Sequence, residues 1–140
     1  MEEQHSPQGL TNDRIVTAAK RYMAVLEKAI HLLPNVDDSL LAGTPGTVYL
    51  KKLGHRPLTG EDSENIIRSL GSDEEKKTLI RFSQAQQALS ERLKKNKWSG
   101  LIIEQSGIHY LKAYRRIAKP ELWKGEEMIR VIQVLDRLQV

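Results

Sequence analysis

The side chains best suited to chemistry in this sequence are cations gathered in one stretch, residues 92 to 119. Eight basic residues there face a single acidic one, Glu104, so the stretch carries a formal charge of +7 and leaves −3 for the rest of a chain whose net charge is +4. A local positive field of this kind attracts polyanions such as nucleic acids, although a solvated basic helix face is the ordinary alternative. The eight cations are Arg92, Lys94, Lys95, Lys97, Lys112, Arg115, Arg116 and Lys119.

Catalytic and metal chemistry have little support in the sequence. The four histidines, His5, His31, His55 and His109, are far apart and show no metal-ligand spacing. Paired carboxylates lie at turns or helix starts, where capping accounts for them. The chain has no G-x-S-x-G nucleophile motif, and GTPGTVYLKK lacks the glycine spacing and the Ser or Thr of a phosphate loop. The sequence therefore predicts that the protein is not an enzyme and uses no metal or cofactor.

Length and composition indicate the class of protein. At 140 residues the chain can bury a core without disulfides, and it contains no cysteine. The N-terminal sequence MEEQHSPQGLTND is acidic and polar, unlike a signal peptide, and no stretch approaches the roughly 20 apolar residues of a membrane span. These features predict a soluble, cytoplasmic protein without a membrane partner. Residues 1–10 are predicted to form a disordered tail.

The region from residue 11 to residue 97 has the periodicity of helices. Apolar residues recur at three- and four-residue steps from Ile15 to Leu33, which predicts an amphipathic helix. Few segments alternate strictly between apolar and polar residues, so the predicted fold class is all-α. We expect the whole region to supply core or an oligomer contact.

Turn and capping residues mark the helix boundaries within this region. The sequence from Ser72 to Glu75 is typical of a capping box, and Gly71 ends the helix before it. Residues 34–60 are rich in Gly, Pro and Thr, and the sequence leaves open whether they are ordered. TVYL has β-branched and aromatic residues but is too short and isolated to support a sheet, and a short helix over 47–53 is equally consistent with the sequence. The predicted helices are 12–33, 61–70 and 72–97, and the buried face of the last includes Ile80 and Gln86.

Beyond residue 98, a glycine separates two short helical segments. An apolar helix is predicted over 101–105, a basic helix over 109–119, and a final apolar helix after Pro120. Gly107 suits a tight turn that needs a positive φ. A helical wheel of about 100° per residue divides the basic helix into a charged face and a face expected to pack on a core. The charged face holds His109, Lys112, Arg116 and Lys119, the opposite face holds Tyr110, Leu111, Tyr114, Ile117 and Ala118, and Arg115 lies at the boundary.

This region resembles a known DNA-binding motif. The sequence LIIEQSGIHYLKAYRRIAKPELWKGEEMIRVIQVLDRL resembles the helix-turn-helix of the phage-repressor (Cro-like) group, and GIHYLKAYRRI is similar to the tetracycline-repressor type. The resemblance covers residues 99–138 and implies a helical bundle with a C-terminal helix-turn-helix in 98–140. The chain departs from the family pattern at Ile103, where alanine is usual, and at Arg116, where an apolar residue is usual. The family register implies that the reading side chains are His109, Tyr110, Tyr114 and Arg115.

The basic cluster and the resemblance together predict a sequence-specific protein that binds double-stranded DNA, most simply a transcriptional regulator with a recognition helix in the major groove. Lys94, Lys95 and Lys97 are expected to hold phosphates. Tyr114 either donates to a phosphate or packs in the core with an exposed hydroxyl. Since one recognition helix gives limited specificity, we expect a homodimer. The cations expected to reach groove edges or nearby phosphates are Lys112, Arg115, Arg116 and Lys119.

Three other functions use the same features and stay open at this stage. A phage or plasmid DNA-handling accessory protein has the same parts as a regulator. A helical adaptor could bind a protein through the apolar faces of its long helices. A structured RNA could also bind the basic cluster.

Overall fold

The computed structural model of the chain describes residues 9–140, and this part is helical throughout, with seven α-helices and no strand. The predicted all-α class is confirmed. None of the described helices has both the length and the apolar character needed to cross a membrane. The helices are α1 (Asn12–Leu32), α2 (Pro45–Lys52), α3 (Gly60–Leu70), α4 (Asp73–Lys95), α5 (Ser99–Ser106), α6 (Tyr110–Ala118) and α7 (Gly125–Leu138), with short 3-10 helices at Leu33–Asn35, Asp38–Leu40 and Pro120–Leu122.

The chain divides into two compact units at positions different from the predicted boundary after residue 97. The basic unit combines the chain up to Arg21 with residues 80–140, and the central unit is residues 22–79. The C-terminal half of α4 therefore belongs with α5, α6 and α7. Residues 80–140 contain twelve Lys and Arg against six Asp and Glu, a formal charge of +6, whereas residues 22–79 contain seven against nine, a formal charge of −2.

The start of the described chain corrects the predicted tail. Residues 1–8 of that predicted tail lie outside the described residues. Leu10, its last residue, is buried, and its carbonyl accepts a hydrogen bond from the guanidinium of Arg92 on α4. The prediction of a disordered tail is therefore wrong at Leu10, because its side chain is buried and its backbone carbonyl is hydrogen-bonded within the fold.

The central unit is built around apolar residues from α1, α2, α3 and the start of α4, and from the segment between α1 and α2. Residues 34–60, left open by the sequence, contain α2, which Thr44 caps by accepting a hydrogen bond from the backbone N–H of Thr47. Ile30, part of the apolar stripe expected to supply core or an oligomer contact, lies exposed, whereas Ala29 of the same turn is buried. The buried core residues of this unit are Val25, Ala29, Leu33, Val36, Leu41, Val48, Ile66, Ile67 and Leu79.

Capping boxes set the starts of α3 and α4. The predicted box is confirmed, since Ser72 N–H donates to Glu75 Oε1 at 2.8 Å and Glu75 N–H donates to Ser72 Oγ at 3.2 Å. Thr59 and Asp62 form the equivalent box at the start of α3. Gly71 follows α3 because a side chain there would lie 2.5 Å from the carbonyl oxygen of Ile67.

A buried ion pair lies at the start of α3. Lys51 Nζ is 2.7 Å from Asp62 Oδ2, and both side chains are almost completely covered. The carboxylate also accepts hydrogen bonds from the N–H groups of Ala42 and Thr59, while Lys51 donates to the carbonyl of Ala42. Burial alone raises the pKa of Asp62, but the Ala42 N–H, the Lys51 ammonium and the Thr59 N–H together lower that pKa to about 2.

This ion pair makes the stability of the central unit depend on pH. The folded pKa of Asp62 lies below its unfolded value of about 3.9, so its contribution of roughly 2 kcal/mol is present above pH 4 and is lost as the pH falls toward 2. We expect Asp62→Asn to cost about 3–5 kcal/mol near neutral pH because it leaves a buried ammonium unpaired. The difference in unfolding free energy between the two proteins should shrink below pH 4, measured by urea unfolding followed by circular dichroism.

The matched control is Glu61→Gln, which removes an exposed carboxylate from the same turn of α3. It should change the free energy of unfolding by less than about 0.5 kcal/mol. A difference between the parent and Asp62→Asn that stays constant from pH 6 to pH 2 would contradict the assignment.

Candidate nucleic-acid interface

The two short helices α5 and α6 are held by an apolar core within the basic unit. Helix α5 packs against α7, and it also contacts α6. Ile103, which departs from the family pattern because of its size, is nevertheless buried, so its bulk is accommodated within this core. The buried apolar residues of α5, α6, α7 and the α5–α6 turn are Ile102, Ile103, Ile108, Ala113, Ile117, Met128, Val131, Ile132, Val134 and Leu135.

Three residues, 107 to 109, connect α5 to α6. Gly107 adopts φ 76° and ψ 10°, the left-handed conformation predicted for this turn, in which glycine avoids the strain that a side chain adds. Ile108 is buried, and His109 caps the start of α6 by accepting a hydrogen bond on Nδ1 from the N–H of Leu111 at 3.3 Å. The turn therefore changes the chain direction at the glycine and anchors both helices at the isoleucine.

Arg116 corrects the predicted charged face of α6. Its side chain is only 9% exposed, and its Nε donates to Glu127 Oε1 on α7 at 2.7 Å. Nη1 of the same guanidinium donates to the carbonyl of Lys112 at 3.4 Å, and Glu127 Oε1 also accepts the N–H of Lys124 at 3.0 Å. The expectation that Arg116 lies on the outer face is wrong, because a carboxylate eleven residues away supplies a buried partner that a helical wheel does not include.

A polar network holds the C-terminal end of α6 against α4. The indole N–H of Trp123 donates to Ser90 Oγ at 2.9 Å, and that hydroxyl donates to the carbonyl of Arg116 at 3.0 Å. Gln86 Nε2 donates to the carbonyl of Trp123 at 2.8 Å. Gln86 was predicted to be buried, which is confirmed, whereas Ser90 and Trp123 were not singled out as positioning residues. A buried serine and tryptophan with complementary donors and acceptors form no short motif, so spacing alone does not reveal their contact.

The exposed face of α6 differs from the predicted one. Tyr110, Leu111 and Tyr114 were expected to pack on a core, but they are 59%, 61% and 50% exposed. The interpretation of Tyr114 as a core residue is therefore wrong. His109 is also exposed, and its ring stacks on that of Tyr110 with 4.9 Å between centroids. We call the exposed residues of α6 and its C-cap the outward face: Tyr110, Leu111, Lys112, Tyr114, Arg115, Ala118 and Lys119.

The outward face carries three available cations. Lys112, Arg115 and Lys119 are exposed, and within residues 9–140 no carboxylate pairs with them. Helix α6 itself contains no acidic residue. The four reading positions implied by the family register are all exposed, namely His109, Tyr110, Tyr114 and Arg115.

The three lysines near the end of α4 are also exposed, but they differ in their contacts. Lys94 Nζ lies 3.5 Å from Glu91 Oε1, and Lys97 Nζ lies 5.7 Å from the centre of the Trp98 ring. Lys94 is one helical turn, about 6 Å of rise, beyond Ser90, whose hydroxyl contacts the end of α6. Lys95 has no ion-pair partner in the described part of the chain.

The described residues contain no group of three His, Asp or Glu side chains arranged to hold a metal ion. Comparisons of the chain with protein-family models, curated proteins and solved structures found no match.

Gly107 provides a test of the turn. Gly107→Ala should lower the free energy of unfolding by about 1–2 kcal/mol, because alanine is strained at positive φ. An added Cβ would have 3.9 Å to its nearest neighbour, Arg130 Nη1, so the expected cost comes from backbone conformation. Gly100→Ala, in α5 where the site is open, should be neutral or slightly stabilising. If thermal or urea unfolding showed that Gly107→Ala and Gly100→Ala lower the free energy of unfolding equally, this explanation of the turn would be contradicted.

The neighbouring arginines provide a second test. Arg116→Met leaves the buried Glu127 carboxylate without its guanidinium and should cost about 3–5 kcal/mol of unfolding free energy. Arg115→Met, one residue away on the exposed side, should change it by less than about 0.5 kcal/mol. Urea unfolding of the two variants under identical conditions measures the difference. If Arg115→Met were the more damaging substitution, the orientation of α6 described above would be wrong.

Proposed function

We propose that this protein is a sequence-specific double-stranded DNA-binding protein, a transcriptional regulator that places α6 in the major groove as the second helix of a helix-turn-helix. The observation that carries the proposal is the outward face of α6. It exposes two tyrosines and three cations that no carboxylate of residues 9–140 pairs with, on a helix without acidic residues, while its opposite side is anchored by the core and by Glu127. Such a helix can enter a groove without giving up internal contacts.

Two positions at which the chain departs from the family pattern also support the proposal. The resemblance implies inward-facing small or apolar residues at Ile103 and Arg116. Both side chains are buried, although their types differ from the family's. Arg116 fills an apolar position because Glu127 neutralises it, so the departure in residue type does not alter which side of α6 faces outward.

The proposed mechanism divides the cations by role. The fork of Arg115 can donate to O6 and N7 of a guanine, the geometry that makes arginine the commonest reader of that base. Lys112 and Lys119 reach groove edges or phosphates. Lys94, Lys95 and Lys97 bind phosphates and thereby fix the position of the protein without reading sequence. Tyr110 and Tyr114 can donate their hydroxyls to phosphate oxygens.

The proposal includes a homodimer that acts in the cytoplasm on two half-sites, because one nine-residue recognition helix contacts few base pairs.

A phage or plasmid DNA-handling protein would use the same surface. One observation favours a different class: the exposed Leu111 between exposed tyrosines also suits an adaptor that binds a protein. Binding to duplex DNA separates either DNA-binding function from the adaptor.

The first experiment measures binding of the full chain to random duplex DNA over a range of salt concentrations. The five lysines proposed to reach phosphates, Lys94, Lys95, Lys97, Lys112 and Lys119, predict a slope of log K against log salt of about −4 to −5 for each protomer bound. Lys94→Ala with Lys95→Ala should weaken binding to all sequences and make the slope shallower by about 2. The matched control, Lys76→Ala with Lys77→Ala, removes the same charge from the central unit and should leave the slope unchanged. Absence of salt-dependent duplex binding by the parent protein would refute the proposal.

A second measurement tests sequence reading. Selection of bound fragments from random DNA identifies a preferred site, and Arg115→Ala should then lose about 1–3 kcal/mol of discrimination at one base pair. The loss should be confined to that position, whereas the lysine double variant should preserve the preference. An unchanged preference in Arg115→Ala would remove this residue from the reading set.

A further inference from the structure

The outward face of α6 is arranged in three stripes along the helix axis. At about 100° per residue, neighbouring outward positions are 20–40° apart and together span about 200° of the helix surface. Two tyrosines form one edge and three cations form the other. In order around the helix the positions are Tyr110, Tyr114, Ala118, Leu111, Arg115, Lys119 and Lys112.

The middle stripe, Ala118 and Leu111, is apolar. Leu111 is 61% exposed and is the most exposed of the large apolar residues in the basic unit. It is the second residue of α6, so it lies in the first turn, the part of a recognition helix that reaches base edges. A leucine at this place offers no hydrogen-bond donor or acceptor to a base.

This arrangement has a direct consequence if α6 lies in the major groove, and the inference therefore rests on the proposed function. The two edges of the helix then face the phosphates of the two strands, where cations on one side and tyrosine hydroxyls on the other find acceptors. The middle stripe faces the base edges. The apolar group that distinguishes base edges in the major groove is the C5-methyl of thymine, since cytosine carries only a hydrogen at that position.

We propose that α6 recognises thymine methyl groups through Leu111, so that the substrate is an A·T-containing site read by apolar contact as well as by hydrogen bonds. Burying a methyl group against leucine contributes about 0.8 kcal/mol, which corresponds to roughly a fourfold change in affinity for each methyl contacted.

The test uses duplexes that differ in the methyl group alone. Binding of the full chain is measured to poly(dA-dT) and to poly(dA-dU), and in a second pair to poly(dG-dC) with and without 5-methylcytosine. We expect dissociation constants about fourfold or more larger for the uracil duplex than for the thymine duplex. Methylation of cytosine should strengthen binding to the G·C duplex by a similar factor.

Variants assign the effect to the residue. Leu111→Ala should reduce the thymine-to-uracil ratio to about one while keeping the salt dependence, and Leu111→Met should retain the ratio because it preserves an apolar side chain of similar length. Leu101→Ala is the matched control, since Leu101 is an exposed leucine of the adjacent helix α5. It should leave the ratio unchanged.

The outcomes separate the two proposals. Salt-dependent binding with equal affinity for thymine and uracil duplexes would overturn the methyl inference and leave the proposed function standing. A ratio that persists in Leu111→Ala would overturn the assignment to this residue. If no duplex binds at any salt concentration, both proposals fail, and the outward face belongs to another kind of partner.

Discussion

The oxygen Oε1 of Glu127 joins two helices of the basic unit. It accepts one hydrogen bond from the guanidinium of Arg116 on α6 and another from the backbone N–H of Lys124 at the start of α7. A buried guanidinium is costly unless it is paired, so this contact holds α6 in one rotation about its own axis. With Arg116 turned inward, Tyr114 and Arg115 must point outward. The chemistry available at the surface is therefore decided by an ion pair beneath it.

The end of α6 is held by a second interaction of a different kind. The chain Trp123–Ser90–Arg116 carbonyl consists of neutral hydrogen bonds in a buried site, each of which satisfies a group that would otherwise be unpaired. Gln86 adds a bond to the carbonyl of Trp123. Together with the turn at Gly107, these contacts fix both ends of a nine-residue helix that is too short to be stable in isolation. Such a helix can present side chains in a constant arrangement, which recognition of a rigid partner requires.

Local features of the fold could be predicted from the sequence, and contacts between distant residues could not. Periodicity placed α1 and α4 within a few residues, and the Ser72–Glu75 capping box identified the start of α4, because both signals come from nearby residues. The helical wheel misplaced Arg116 and Tyr114, because its faces were assigned on the rule that charged side chains lie outside and aromatic rings lie inside. Arg116 breaks that rule because the buried carboxylate of Glu127 pairs with its guanidinium. Ile80, predicted to lie on the buried face of α4, is also exposed, whereas Gln86 is buried and donates to the carbonyl of Trp123.

The two tryptophans of the chain, Trp98 and Trp123, occupy opposite environments within the same unit. Trp123 is enclosed with its indole N–H bonded, whereas Trp98 lies about half exposed beside the ammonium of Lys97. Residues 22–79 contain no tryptophan. Tryptophan fluorescence, excited selectively over tyrosine, therefore reports on the basic unit alone, with a blue-shifted component from the enclosed indole and a component accessible to iodide from the exposed one. Circular dichroism follows the helices of both units, so comparing the two signals during denaturation shows whether the units melt together or in sequence.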